Sequence, residues 1–369
     1  MATLTASGQT SSTPEEEVAA ERTGLVDTGS AAGRIAPSAG RRTAWLIVAL
    51  VGLALVCLGS LMIGSLPISP AATLRALLAP DQSEAAQIVT ELRVPRTLLG
   101  LAVGAALGVS GALIQALTRN PLADPGILGV NAGASLAIVV AVTFLGVTSL
   151  TEYIWFALLG AIVTTVAVYL IGSANRTGTA SPIALVLAGV ALGAAMQGVA
   201  SGIALMVPRT FDQLRFWQAG RLTDRDLPNI LAAMPFIAVG LLLAAFVPAA
   251  LNAIALGDDQ AVALGVRVGL VRVLVVVSVT LLCGTATALC GPIGFVGLMV
   301  PHVVRWLFGV DQRWILAFTV VLAPTLLLVS DIVGRLVMWP GDLAVGLVTA
   351  FIGAPVLIML ARRRQAAGL

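Results

Sequence analysis

The charges of this chain are confined to short segments. Between Trp45 and Ala361, about ten apolar stretches of near 20 residues follow one another with only brief polar breaks. As a helix, each stretch matches the ~30 Å hydrocarbon layer of a bilayer, so the chain is expected to cross a membrane many times. Hydrophobic residues make up 58% of the chain and charged residues 11%, with a mean hydropathy of +1.01. A water-soluble globule with that balance would lack the polar surface to cover its core. The spans read as 44–65, 97–118, 126–147, 153–172 and 182–207, then 228–251, 269–290, 292–310, 314–337 and 342–361. Backbone polar groups in hydrocarbon must be satisfied within the segment, which leaves the helix. The expected fold is therefore an all-α polytopic bundle of about ten transmembrane helices.

All 21 cationic residues are arginine, since the sequence contains no lysine. That excludes a phosphate-loop lysine for nucleotide binding and a Schiff-base lysine for retinal. If ATP drives any movement through this protein, another chain must supply the motor. Arginine placement sets the orientation, because cytoplasmic loops carry the excess of positive charge. With both termini inside, thirteen arginines fall on the inner side and eight on the outer, the eight being Arg75, Arg93, Arg96, Arg209, Arg215, Arg221, Arg225 and Arg335. The outer group suits a basic docking surface for an acidic partner.

Residues 1–43, rich in Ala, Thr, Ser, Gly and Glu, read as a disordered cytoplasmic tail, and 44–369 as the membrane domain. The first span is too long and begins too late for a cleaved signal peptide and is expected to stay as an anchor. Cys57, Cys283 and Cys290 lie inside apolar spans without metal-ligand spacing and read as small packing residues. His302, the only histidine, follows Pro301 and reads as part of a kinked helix rather than a metal site.

Two spans carry small-residue stripes, Gly100, Gly104, Gly108 and Gly111 in the second and Gly189, Gly193, Gly198 and Gly202 in the fifth. Such spacing lets helices approach closely. It fits either tight bundle packing or a path that changes width. A short echo between 104–111 (GAALGVSG) and 284–291 (GTATALCG) hints at an inverted repeat.

Three stretches carry the most specific signal. The first is LRVPR at 92–96, followed after the second span by RNPLADPGILGVNAG at 119–133, where Pro121 and Pro125 forbid a continuous helix. The second, LGDDQAVALG at 256–265, reads as a short extramembrane helix with its acidic pair at the favourable dipole end. The third begins with GPIGFVGLMVPHVVR at 291–305 and continues through Asp331 and Arg335 to GDLAVGLVTAFIGAP at 341–355.

Together these stretches resemble the permease subunit of iron-siderophore and cobalamin ATP-binding-cassette importers, the FecCD family, from Trp45 to the C-terminus. The resemblance implies ten helices per subunit in the cytoplasmic (inner) membrane and a second permease subunit, identical or related. It also implies two ATPase subunits below and an extracytoplasmic substrate-binding protein above. ATP and magnesium would bind to the ATPase subunits, so this chain would hold no cofactor or metal and would not itself be an enzyme. Membrane lipid surrounds it and no nucleic acid is expected as partner.

By the same resemblance, Leu256, Gly257, Asp258, Asp259, Ala261, Leu264 and Gly265 match the segment that couples the permease to the ATPase. Arg93, Arg96 and Arg335 match outer positions facing carboxylates of the binding protein, and Asn120 and Leu122 match the cytoplasmic gate. Asp331 and Arg335 are four apart and can pair on one helical face. The family's usual proline before the last span is missing from Asp342–Gly346 here, so that helix is expected to start differently. The implied cargo is a ferric siderophore, ahead of cobalamin and heme. An ion-coupled secondary transporter is poorly supplied with relay acids, since Asp331 is the main intramembrane one. A magnesium-dependent prenyl transferase would need a second acidic cluster beside Asp258 and Asp259.

Overall fold

A computed structural model describes residues 38–365 apart from 65, 67, 80, 148, 175–181 and 224. Most of the predicted 1–43 tail therefore lies outside the described residues. Helix α1 (Ala39–Met62) begins ahead of the predicted residue 44. Its first turn carries Arg41, which is exposed, and Arg42, whose guanidinium sits 5.7 Å from the centre of the Trp314 ring. A short helix α2 (Pro70–Leu78) follows, with Pro70 at its start and the Ser69 hydroxyl accepting from the Ala72 amide.

Next come α3 (Val94–Thr118), α4 (Val130–Phe144), α5 (Leu150–Ser173) and α6 (Pro182–Met206). Then α7 (Pro208–Gln218), α8 (Leu227–Phe246), α9 (Pro248–Ala255) and α10 (Asp258–Ala263) lead into α11 (Val268–Cys290). The chain closes with α12 (Val296–Phe308), α13 (Gln312–Val337) and α14 (Val345–Gln365). Among the described residues seven helices are long and apolar enough to cross a bilayer, and three shorter apolar helices, α4, α12 and α14 over its apolar part, complete ten. The chain is a multi-pass membrane protein.

The predicted spans and observed helices differ where backbone chemistry intervenes. The third span starts at Val130, not 126, because Pro125–Leu128 forms a tight 3-10 turn behind Asp124. The eighth is cut to 13 residues by the buried irregular stretch around Gly291 and Ile293. Backbone of that kind survives at membrane depth only where protein surrounds it. Pro248 splits the predicted 228–251 span into α8 and α9. The last span begins at Val345 rather than 342, because the backbone before it bonds elsewhere, the Leu343 amide to the Gly334 carbonyl and the Gly346 amide to the Gly220 carbonyl. Helix α7 was not expected: Leu214 and Trp217, three apart, bury one face of it after Pro208 starts a new helix.

Helices α3 and α11 form the centre and pack against each other, α3 also against α12 and α13, α11 also against α5 and α8. The first glycine stripe explains how close this packing is. A methyl on Gly104 would lie 2.5 Å from the Pro324 Cα, and one on Gly111 would lie 1.8 Å from the Gly297 carbonyl oxygen. Small residues here let backbone meet backbone. The second stripe divides: Gly189 faces the Ile127 carbonyl with no room to spare, whereas Gly198 and Gly202 meet nothing within 4 Å. Large apolar side chains such as Leu170, Leu187, Leu205 and Phe246 stand exposed around the bundle, as expected where lipid or another membrane subunit is the solvent.

Candidate functional site

The residues with chemical character collect at the two ends of α3, about 37 Å apart for a helix of 25 residues. At one end, α3 terminates on Arg119 in the left-handed region, φ 51°. The Asn120 side-chain oxygen then accepts from the Leu122 amide at 3.0 Å, turning the chain with both side chains exposed.

Close by lies the segment 256–265. Gly257 adopts φ 129°, a conformation a side chain would strain, and so lets the chain reverse between α9 and α10. Ala261 is fully buried beneath α10, while Leu256, Val262 and Leu264 are each more than 60% exposed. A short helix is thereby anchored by one small residue, and the helix and the residues beside it display three apolar side chains outward. Val262 was not singled out from sequence, since one valine in a six-residue helix carries no periodic signal.

The Asp258 side chain is 42% exposed, yet both of its oxygens are engaged within the chain. Its two oxygens receive guanidiniums from Arg119 at the end of α3 and Arg272 at the start of α11. Beside it a cleft of about 530 Å³ is lined by Gln115, Asn252, Leu256, Arg305 and Asp311. Asp311 caps α13 by accepting from the Arg313 amide and also accepts from Asn252 Nδ2 at 2.8 Å. Burial pushes its carboxyl up, but those hydrogen bonds and the Arg313 and Arg42 charges outweigh this and hold it below the usual carboxylate range.

At the other end, a π-type turn (Ile88–Arg93) leads into α3 and presents Arg93 and Arg96. Arg93, 5% exposed, donates to the carbonyls of Leu61, Met62 and Leu66 at 2.5–2.9 Å. Arg335, 3% exposed, pairs with Asp331 one turn away and donates to the Ser60 and Ile63 carbonyls, both at 2.8 Å. Two arginines thus satisfy the orphan carbonyls that end α1, where the helix dipole also favours positive charge.

Of the three arginines expected to face a partner, these two are nearly buried and spend donors on the end of α1, while still lining the cleft that opens beside Arg96. Arg96 grips Asp331 with Nε and Nη2 and reaches Asp342 with Nη1 at 2.8 Å. Asp331 is a buried carboxylate between two guanidiniums, with its expected partner Arg335 and with Arg96, 235 residues distant, which spacing could not reveal. A cleft of about 470 Å³ opens beside this cluster, lined among others by Glu91, Arg96, Arg225, Asp226 and Asp342.

Known proteins of similar sequence align over three quarters or more of the chain. The ferric enterobactin transport system permease protein FepD of Escherichia coli (strain K12) is 48% identical over 309 residues, 84% of this chain and 92% of that protein. The probable siderophore transport system permease protein YfiZ of Bacillus subtilis (strain 168) is 40% identical over 276 residues, 75% of this chain and 83% of that one. Among solved structures, an inward-facing transporter described as of the metal-chelate ABC type superimposes with a TM-score of 0.76 at 26% identity, covering 87% of this chain and 99% of its own. With residues 52–363 matching the family's sequence pattern, the chain belongs to the FecCD transport family.

Proposed function

We propose that this chain is the permease subunit of an ATP-binding-cassette importer that carries a ferric siderophore across the cytoplasmic membrane. The observation that carries the reading is its 48% identity, over 84% of this chain and 92% of that protein, to the ferric enterobactin permease. A catecholate iron complex is accordingly the first cargo to test. The chain has no lysine for a phosphate loop, so ATP hydrolysis and magnesium belong to two partner ATPase subunits, and a second permease completes the path. Both termini lie in the cytoplasm. The apolar triad Leu256, Val262 and Leu264, on and beside an anchored short helix, suits insertion into a groove of the ATPase. Asn120 and Leu122, on the turn beside it, form the inner gate.

At the outer end, Arg96 is the arginine of the three with both partial exposure and an exposed counter-ion, and an acidic binding protein engages there. Arg93 and Arg335 hold the rim on which it docks. The test is uptake of radioactive iron, supplied as a panel of ferric siderophores, in cells with and without the gene. Loss of catecholate-bound iron uptake, restored by the gene, is the expected result. Unchanged uptake across the panel, with loss of heme or cobalamin uptake, would overturn the siderophore cargo and keep the importer.

A further inference from the structure

The Asp258 carboxylate suggests how a push on α10 reaches the core. It is shared between two guanidiniums, Arg119 Nη2 and Arg272 Nη2, each 2.5 Å from its own oxygen. These arginines are the first residue beyond α3 and an early residue of α11, the two helices at the centre of the bundle. Arg272 is 9% exposed, and the other polar contact of its carboxylate partner is to Arg119, which is 45% exposed. A buried guanidinium holds its partner firmly because separation would leave it without a counter-charge. The helix bearing Asp258 has little else to fix it laterally, being six residues long, flanked by Gly257 and Gly265, both at positive φ with open space around them, and seated on Ala261.

We infer that Asp258 is a positioning residue that ties the coupling helix to α3 and α11 together, so that movement of the helix is delivered to both central helices at once. Its oxygens are occupied inside the chain, so the residue works as an internal tether and the contact to the ATPase is left to the apolar triad. The inference rests on the proposed coupling role of 256–265, and the experiment separates the two.

In the full transporter assembled with its own ATPase subunits in proteoliposomes, iron transported per ATP hydrolysed is measured alongside thermal unfolding. Asp258→Asn should lower that ratio by about tenfold, within the range by which single substitutions along a coupling network change it. Asp258→Asn with Arg272→Gln removes the buried charge imbalance. It should recover the melting temperature while the ratio stays low, an outcome a purely structural role would not give. Asp258→Glu, which keeps both pairs, should recover most of the ratio. A wild-type ratio in the double variant, or a Glu variant as uncoupled as Asn, would overturn the tether. Leu264→Arg reports on the coupling reading separately: an unchanged ratio there overturns that reading and the tether with it, whereas uncoupling by Leu264→Arg beside a fully coupled double variant overturns the tether alone.

Discussion

Asp331 is 1% exposed and compensates two arginines, one of them nearly as buried. Replacing it with Asn leaves those guanidiniums in a low-dielectric site without their charge partner, which should cost about 3–5 kcal/mol. The check is the thermal unfolding of the purified protein in detergent. The Asp212–Arg215 pair is a useful contrast, since both side chains are about 60% exposed at a separation of 3.4 Å. Asp212→Asn should shift stability by no more than about 0.5 kcal/mol in the same assay, because water already screens the pair. Asp311 should make stability depend on pH. Its folded carboxyl titrates below the unfolded value, so its contribution is complete above the unfolded pKa of about 4 and fades as pH falls through the lower folded value. Melting curves recorded on the acid side should lose that slope in Asp311→Asn. The Asp331–Arg335 pair was legible as a four-residue spacing, whereas Arg96 joining it was not, since nothing local links residues 235 apart.

At the scale of the helix, the two glycine stripes look alike in sequence and behave differently in space. Gly111→Ala would drive a methyl into the Gly297 carbonyl, a backbone atom that cannot rotate away, and should destabilise by about 3 kcal/mol or more. Gly198→Ala and Gly202→Ala meet open space and sit in a helix that tolerates alanine, so the subunit's melting temperature should hold or rise slightly. A comparable loss in all three would show that α6 packs against something within the subunit. The long helices were readable because hydrocarbon admits few alternatives to a helix, and their ends were readable where proline or glycine marks them. Helix α7 was missed because its buried face is made of few residues and its exposed face carries Arg209, Asp212 and Arg215, which read as a polar connector.

Across the whole molecule, the proposed orientation places α2 outside the cell membrane and α10 inside. Leu78 and Leu264 are 76% and 66% exposed at these opposite ends. Cysteines introduced there, in a background lacking the partly exposed Cys57, should react with a membrane-impermeant maleimide from opposite faces. Right-side-out vesicles should label Leu78→Cys at once and Leu264→Cys only after permeabilisation. The reverse pattern would invert the topology and, with it, the assignment of coupling and docking ends.

Membrane residence, the number of helices and the family were already implied by composition, by apolar run length and by three short motifs, because each depends on residues adjacent in the chain. The bilayer penalises any unsatisfied backbone group, so a run of apolar residues has little freedom in how it folds. Which charges are spent inside and which remain available depends on partners far away in sequence. Arg93, Arg96 and Arg335 look equivalent as outer arginines, yet the carbonyls ending α1 and the carboxylates of Asp331 and Asp342 claim them differently. Asp258 reads as half of an acidic pair opening a short helix, and becomes a link between two central helices only once α3 and α11 bring Arg119 and Arg272 to it. Electrostatic partnership is a matter of a few ångströms in space, and in a bundle of long helices those ångströms are set by packing.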